Sequence, residues 1–274
     1  MDPHRFRDVP RFGIAGNMAG HLEQAGEAGD FTQVEAAAGQ PKGIFPTYIP
    51  GSRGFLGVDP VSFDRLRLPR GSDAARVQAE PELALFVALD WLDGRVAAVR
   101  PLGFTAYNDA SIRKPAPKIS IKKNWGAATK GFAPEVVPLE TLEIGGPLDR
   151  YNLVAFLRRD GVLRTYGEDS PVQSYACFHA SLLTWIAEKL NDQAEEGPLE
   201  HLAALLHDQP AGAVIGIGAT RYTPFAADDR LQAGDEVIVA VYDRDSVGFN
   251  DVRARVQGGI ALPAGNPVLR QRVE

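Results

Sequence analysis

The chain has 274 residues, 45% of them apolar and 23% charged, the composition of a folded globular protein and not of a disordered one. Its 29 Lys and Arg against 35 Asp and Glu give a formal charge of −6, which offers no electrostatic footprint for nucleic acid. One cysteine, Cys177, excludes an intrachain disulfide framework and a four-cysteine zinc site, and a reducing cytoplasm is the simplest setting.

Residues 1–10, with His4 at the terminus, are charged and include Pro3 and Pro10. No apolar run approaches the roughly 18 residues of a membrane span, so no membrane association is expected. A weak helical pattern rich in Ala and Gly over 18–28 is expected to be a mobile element. The first 50 residues carry many Gly and Pro, yet no low-complexity linker separates them from the remainder. One domain over 1–274 is therefore expected, with an N-terminal segment 1–50 and a core over 51–274.

Short β-branched or Leu-rich runs separated by Gly, Pro and Asp dominate the rest of the chain, which predicts a mainly β architecture with a few helices. Two hairpins are marked by Asp-Gly turns: Asp93-Gly94 between 83–92 and 95–99, and Asp160-Gly161 between 152–158 and 162–166. Asp-Gly tolerates the positive φ of a type I′ turn. A helix over 181–191 lines up Leu182, Leu183, Ile186 and Leu190, and Pro198 opens a second with Leu199, Leu202, Leu205 and Leu206. The strand 235–242 is apolar on both faces, as in the middle of a sheet.

Several groups carry candidate chemistry. Glu80 and Glu82 precede the apolar run 83–89 and, on a strand, project from one face about 7 Å apart. They form either a solvated strand start or part of a site for a hard cation such as Mg²⁺, Mn²⁺ or Ca²⁺, and spacing alone does not decide. Asn108-Asp109-Ala110-Ser111 is either a capped turn or the source of a third carboxylate. Five of the seven lysines, Lys114, Lys118, Lys122, Lys123 and Lys130, fall with Arg113 in one stretch without an acid, as a local anion site or a solvated basic face. A Cys177/His179 nucleophile pair fails because side chains two residues apart diverge. No Gly-x-Ser-x-Gly elbow is present, and Gly216-Ile217-Gly218 lacks the third glycine of a dinucleotide fingerprint.

Taken in order, Gly16-Asn17-x-x-x-His21, Glu80-x-Glu82-Leu83, Asn108-Asp109-x-Ser111-x-Arg113 and Lys130-Gly131-Phe132 resemble the fumarylacetoacetate hydrolase superfamily, with a looser match at Ile217-Gly218-Ala219-Thr220 and Gly234-Asp235. The resemblance implies an α+β fold, the family's mixed β-roll with peripheral helices, a homodimer, and Mg²⁺ or Mn²⁺ held by Glu80, Glu82 and Asp109. It implies that Lys130 polarises the substrate or holds its oxyanion, and that Arg113 steadies the ligand carboxylates or the substrate acid. Asn17, Gln24 and Thr220 would also lie at the substrate. His21 matches a histidine on a short helix that closes over the site and activates water. Two departures mark an outlying branch. Gln24 stands where the family often has a Glu paired with that histidine, and Gln cannot take up a proton. Lys42 precedes Phe45, where relatives place a Lys-Pro shortly after the Phe. The implied activity is C–C bond cleavage in a small 2-oxo or 1,3-dioxo acid, with decarboxylation, isomerisation or hydration on the same platform, or non-catalytic organic-acid binding, as alternatives.

Overall fold

The computed structural model describes residues 6–274; His4 lies outside them. Two mixed sheets form the frame. The larger runs in the order Gly43–Tyr48, Arg11–Ala15, Gly212–Ala219, Pro81–Leu92, Arg95–Asn108, Lys130–Phe132 and Val61–Ser62, with Val137–Pro138 also pairing with Arg95–Asn108. The smaller runs Val162–Pro171, Tyr151–Arg159, Glu236–Asp243, Val268–Val273, Arg65–Leu66. Most pairs are antiparallel, but Arg11–Ala15 lies parallel to Gly212–Ala219. No helix among the described residues is long and apolar enough to cross a membrane.

Both Asp-Gly turns form where expected. Asp93 and Gly94 have φ of 50° and 77°, Asp160 and Gly161 of 51° and 77°, the left-handed pair a two-residue hairpin needs. The strands they join are longer than apolar patterning alone indicates. Pro81–Leu92 pairs with the 14-residue strand Arg95–Asn108, whose extra length is absorbed by register shifts at Phe86/Val87 and Asp90/Trp91. The pairing ends with Pro81 opposite Asn108 and Glu82 opposite Tyr107. Glu236–Asp243 is a central strand, as its apolar faces imply. Val237, Val239 and Val241 join the core shared with the large sheet. Ile238, Ala240 and Tyr242 pack on the helix Phe249–Gln257 through Val252 and Val256.

The helix His179–Asp192 buries Leu182, Ile186 and Leu190 as its stripe requires, with Trp185 added and Leu183 only partly covered. The helix expected from Pro198 is reduced to Leu202–Leu205. Its first carbonyls are taken by other segments: Pro198 O accepts from Ile119 N, Leu199 O from Lys118 Nζ and Glu200 O from Gln193 Nε2. The helix expected over 18–28 is likewise cut to His21–Gln24 and a 3₁₀ turn Ala28–Phe31, because Gly20 and Gly26 take positive φ. The strands Arg11–Ala15 and Gly43–Tyr48 belong to the large sheet, so the β core begins before residue 50 and the division of the chain at 50/51 is corrected. Every residue of both is buried. Without polar alternation, their sequences show no strand periodicity.

One side chain joins the two sheets. Gln271, buried on Val268–Val273, accepts from Asn108 Nδ2 at 2.9 Å and donates to Arg65 O at 2.8 Å and Lys130 O at 3.1 Å. Replacing Gln271 by Leu leaves these groups buried without partners, and equilibrium urea unfolding should show a loss of roughly 1–3 kcal/mol.

Candidate functional site

The hairpin places the acids. Register opposes Glu82 to Tyr107, and just beyond the last strand pair Asp109 N donates to Glu80 O at 2.9 Å while Asn108 Oδ1 accepts from Glu80 N at 3.0 Å. One carboxylate oxygen from each of Glu80, Glu82 and Asp109 therefore lies within 4.8 Å of the others, and all three residues are buried. The solvated strand start and the simple capped turn are both excluded. The neighbouring strand makes room for the acids. A Cβ on Gly216 would stand 2.5 Å from Glu82 Oε2 and 2.8 Å from Tyr107, while the amide of Gly218, at φ 118°, donates to Glu82 Oε2 at 3.1 Å. The glycines that fail as a dinucleotide fingerprint thus line a carboxylate.

Burial together of these acids splits their proton affinities. Glu82 is pushed well above the ordinary carboxylate range by burial and then by Asp109, against which the Gly218 amide is a weaker influence. Burial also raises Glu80, but the ammonium of Lys123 and the guanidinium of Arg113 outweigh it and hold this carboxyl low. Tyr107 donates its hydroxyl to Asp109 Oδ1 at 3.0 Å.

The lysine stretch is neither a solvated basic face nor an open anion site. Lys114 pairs with Asp73 and Lys118 with Glu195. Lys122 meets Glu27 and Asp30, each at 2.9 Å. Lys123, the last residue of the short helix Ile119–Lys123, sends its Nζ to 2.6 Å from both Glu80 Oε2 and Asp109 Oδ2. It also donates to Asp109 O at 3.2 Å and lies 5.2 Å from the centre of the Phe45 ring. Lys130 is fully buried beside Asp109 Oδ1 at 3.2 Å and donates to Ala110 O. Burial lowers its pKa to about 8 against the pull of Asp109.

Arg113 bridges Glu27 and Glu80, each at 2.9 Å from Nη1, and also donates to Gln78 and Tyr222. Its donors are thus engaged within the protein. His21 is buried, with Nε2 3.9 Å from Glu80 Oε2, its ring 5.2 Å from that of Tyr222 and no hydrogen bond at either nitrogen. Burial lowers its pKa to about 4 despite Glu80. Glu27 approaches this group although a continuous helix would carry it away from His21; the break at Gly26 turns the chain back.

Three residues expected at the substrate have their polar groups committed elsewhere. Asn17 donates to Ile217 O and accepts from Cys177 N. Gln24 makes paired bonds to the backbone of Tyr222, pinning the His21 helix. The Thr220 hydroxyl meets Glu168 O and Ser170. Between these elements lies a cavity of 20 Å³, room for about one water, lined by Asn17, His21, Glu80, Glu82, Lys123 and Gly218 among others.

The donor set suits a hard divalent cation: three carboxylates from two segments, with Glu80 Oε1 and Asp109 Oδ2 buried and lacking an aligned hydrogen bond. Arg113 and Lys123 stand against these same two oxygens at 2.9 and 2.6 Å as charge partners. Sequence patterning missed the destination of Lys123 and the approach of Glu27. Neither residue carries a spacing signal toward an acid distant in the chain.

The profile of DUF5718, a family of unknown function, matches residues 27–273. No curated protein matches the sequence. Solved structures of similar fold include a fumarylacetoacetate hydrolase family protein from Yersinia pestis CO92, 14% identical, with a TM-score of 0.55 over 98% of this chain and 94% of that one. The 5-carboxymethyl-2-hydroxymuconate delta-isomerase from Mycobacterium smegmatis is 16% identical, with a TM-score of 0.53 over 98% and 79%. A 2-keto-3-deoxyarabinonate dehydratase is 14% identical, with a TM-score of 0.54 over 97% and 73%. The fold is thus that of the fumarylacetoacetate hydrolase family, as the ordered motifs imply.

Two measurements check this geometry. In the metal-free protein His21 should titrate near pH 4, read by histidine proton NMR. Between about 6.5 and 4 the unfolded chain then binds more protons than the native state, so stability should fall as pH drops through that window, by roughly 3 kcal/mol for this group. Gly216→Ala drives a methyl into Glu82 and Tyr107 and should cost about 1–3 kcal/mol in thermal unfolding.

Proposed function

The chain belongs to DUF5718, a family of unknown function, and from its site we propose an enzyme of the fumarylacetoacetate hydrolase superfamily that cleaves a C–C bond in a small 2-oxo or 1,3-dioxo carboxylic acid. The meeting of Glu80, Glu82 and Asp109 in a buried cluster beside His21, within this fold, carries the reading. Those three carboxylates would hold Mg²⁺ or Mn²⁺. Such an ion, when bound, supplies positive charge to the enolate oxygen that develops as the bond breaks. The names of the isomerase and the dehydratase, each specifying a carboxylate with oxygen at carbon 2, support this substrate class.

The remaining steps belong to the chain's own groups. His21 is neutral at neutral pH, so Nε2 can take a proton from water or from a substrate carbon. Lys130, with its pKa near 8, keeps an ammonium beside Asp109 that can hold a developing oxyanion. Arg113 fixes Glu80 in place. Asn17, Gln24 and Thr220 shape the backbone around the cavity, and Gln24 holds the His21 helix closed over it.

A second reading is favoured by one observation: His21 has no carboxylate hydrogen-bonded to its ring, and Gln24 is turned to Tyr222. An imidazolium there would have Glu80 at 3.9 Å but no hydrogen-bonded acid, and burial outweighs that charge, so water activation is the weakest step. Enolate chemistry that needs no attacking water, as in decarboxylation or tautomerisation, asks less of His21.

Asp109→Ala and Glu82→Ala should abolish Mn²⁺ binding in a titration, whereas His21→Ala should retain it and lose about 10²-fold or more of turnover on oxaloacetate or an acylpyruvate. Undiminished Mn²⁺ affinity in Asp109→Ala would overturn the assignment. Stabilisation by these acids without turnover would identify a binding protein.

A further inference from the structure

The cation that Glu80 and Asp109 contact belongs to the chain itself. Lys123 reaches both carboxylates at 2.6 Å, adds the Asp109 carbonyl at 3.2 Å, and is covered on another side by the ring of Phe45. These partners are buried, so the ammonium has exchanged its water for a shell of protein oxygens. Ion pairs surround it: Glu27, Asp30, Glu80 and Asp109 face Arg113, Lys122, Lys123 and Lys130. An ammonium and a divalent ion at contact distance on Glu80 and Asp109 would repel each other with little screening at so buried a place, so each weakens the hold of the other.

We infer that Lys123 is the resident cation of this site and that a divalent ion enters by exchange with its ammonium, so that Lys123 sets the affinity of the site for metal. The inference rests on the reading of Glu80, Glu82 and Asp109 as a cation site. Those three carboxylates are already gathered, and of the cations around them Lys123 alone contacts both Glu80 and Asp109, while Arg113 holds Glu80 Oε1 and Lys130 lies at Asp109 Oδ1; departure of Lys123 frees Glu80 Oε2 and Asp109 Oδ2. Lys123 is a four-carbon arm at the end of a short helix, so its departure requires no change in either sheet. The ring of Phe45, from the strand Gly43–Tyr48, lies 5.2 Å from its ammonium.

The test is Mn²⁺ binding by the full chain, followed by calorimetry and by loss of the free-ion paramagnetic resonance signal. Lys123→Met, close in length and without charge, should bind Mn²⁺ at least about tenfold more tightly than the wild type, and Mn²⁺ should raise its melting temperature by more. Lys123→Gln serves the same purpose should the Met variant not fold. Equal or weaker affinity in a folded variant would overturn the inference while leaving the carboxylate site standing. Absence of binding in the wild type and in both variants would remove the site and the inference together. A crystal structure of the wild type at saturating Mn²⁺ needs no variant: Lys123 should have left Glu80 and Asp109, and an ion on those carboxylates with Lys123 still in contact with both would also overturn it.

Discussion

Three carboxyl groups buried within 4.8 Å of one another repel and lose their hydration, and the hairpin Pro81–Leu92/Arg95–Asn108 gives them no means of separating. The surrounding groups answer that constraint. Lys123 and Arg113 press against Glu80, Tyr107 donates to Asp109, the Gly218 amide serves Glu82, and Gly216 gives up its side chain so that Glu82 has space. Glu82 is left with a raised proton affinity, which lowers the charge the cluster must carry. A buried ionic group of this kind is an expensive way to stabilise a fold, since packed apolar residues do as well or better. Stability of the fold alone therefore does not account for it.

Much of this was legible in the chain. Asp93-Gly94 and Asp160-Gly161 specify their turns through local backbone preference, and Glu80, Glu82 and Asp109 flank the first hairpin so that its closure brings them together. Other features carry no local signal. Arg11–Ala15 and Gly43–Tyr48 are buried on every face, so no alternation marks them. The helix Phe249–Gln257 has mostly polar residues and is held by Val252 and Val256, an i, i+4 pair too sparse to stand out. Lys123 looks like any member of a lysine-rich stretch. Only the tertiary fold turns it inward while Lys118 remains nearer the surface.

The fold is shared with proteins whose names cover an isomerase and a dehydratase, at 16% and 14% identity. One frame supporting several reactions fits a division of labour in which the sheets hold the acids and short segments supply what varies. Two short segments of this chain, His21–Gln24 and Ile119–Lys123, reach the acids from outside the strand pairing: Gln24 pins the first to Tyr222, and Lys123 ends the second on Glu80 and Asp109.

The register shifts at Phe86/Val87 and Asp90/Trp91 have an evolutionary corollary. Because side chains alternate across a strand, gaining or losing one residue between these bulges and the end of the hairpin would rotate Glu82 out of the cluster and put an apolar neighbour in its place. The ribbon's length is thus constrained there, whereas the tip at Asp93-Gly94 can lengthen without disturbing the acids.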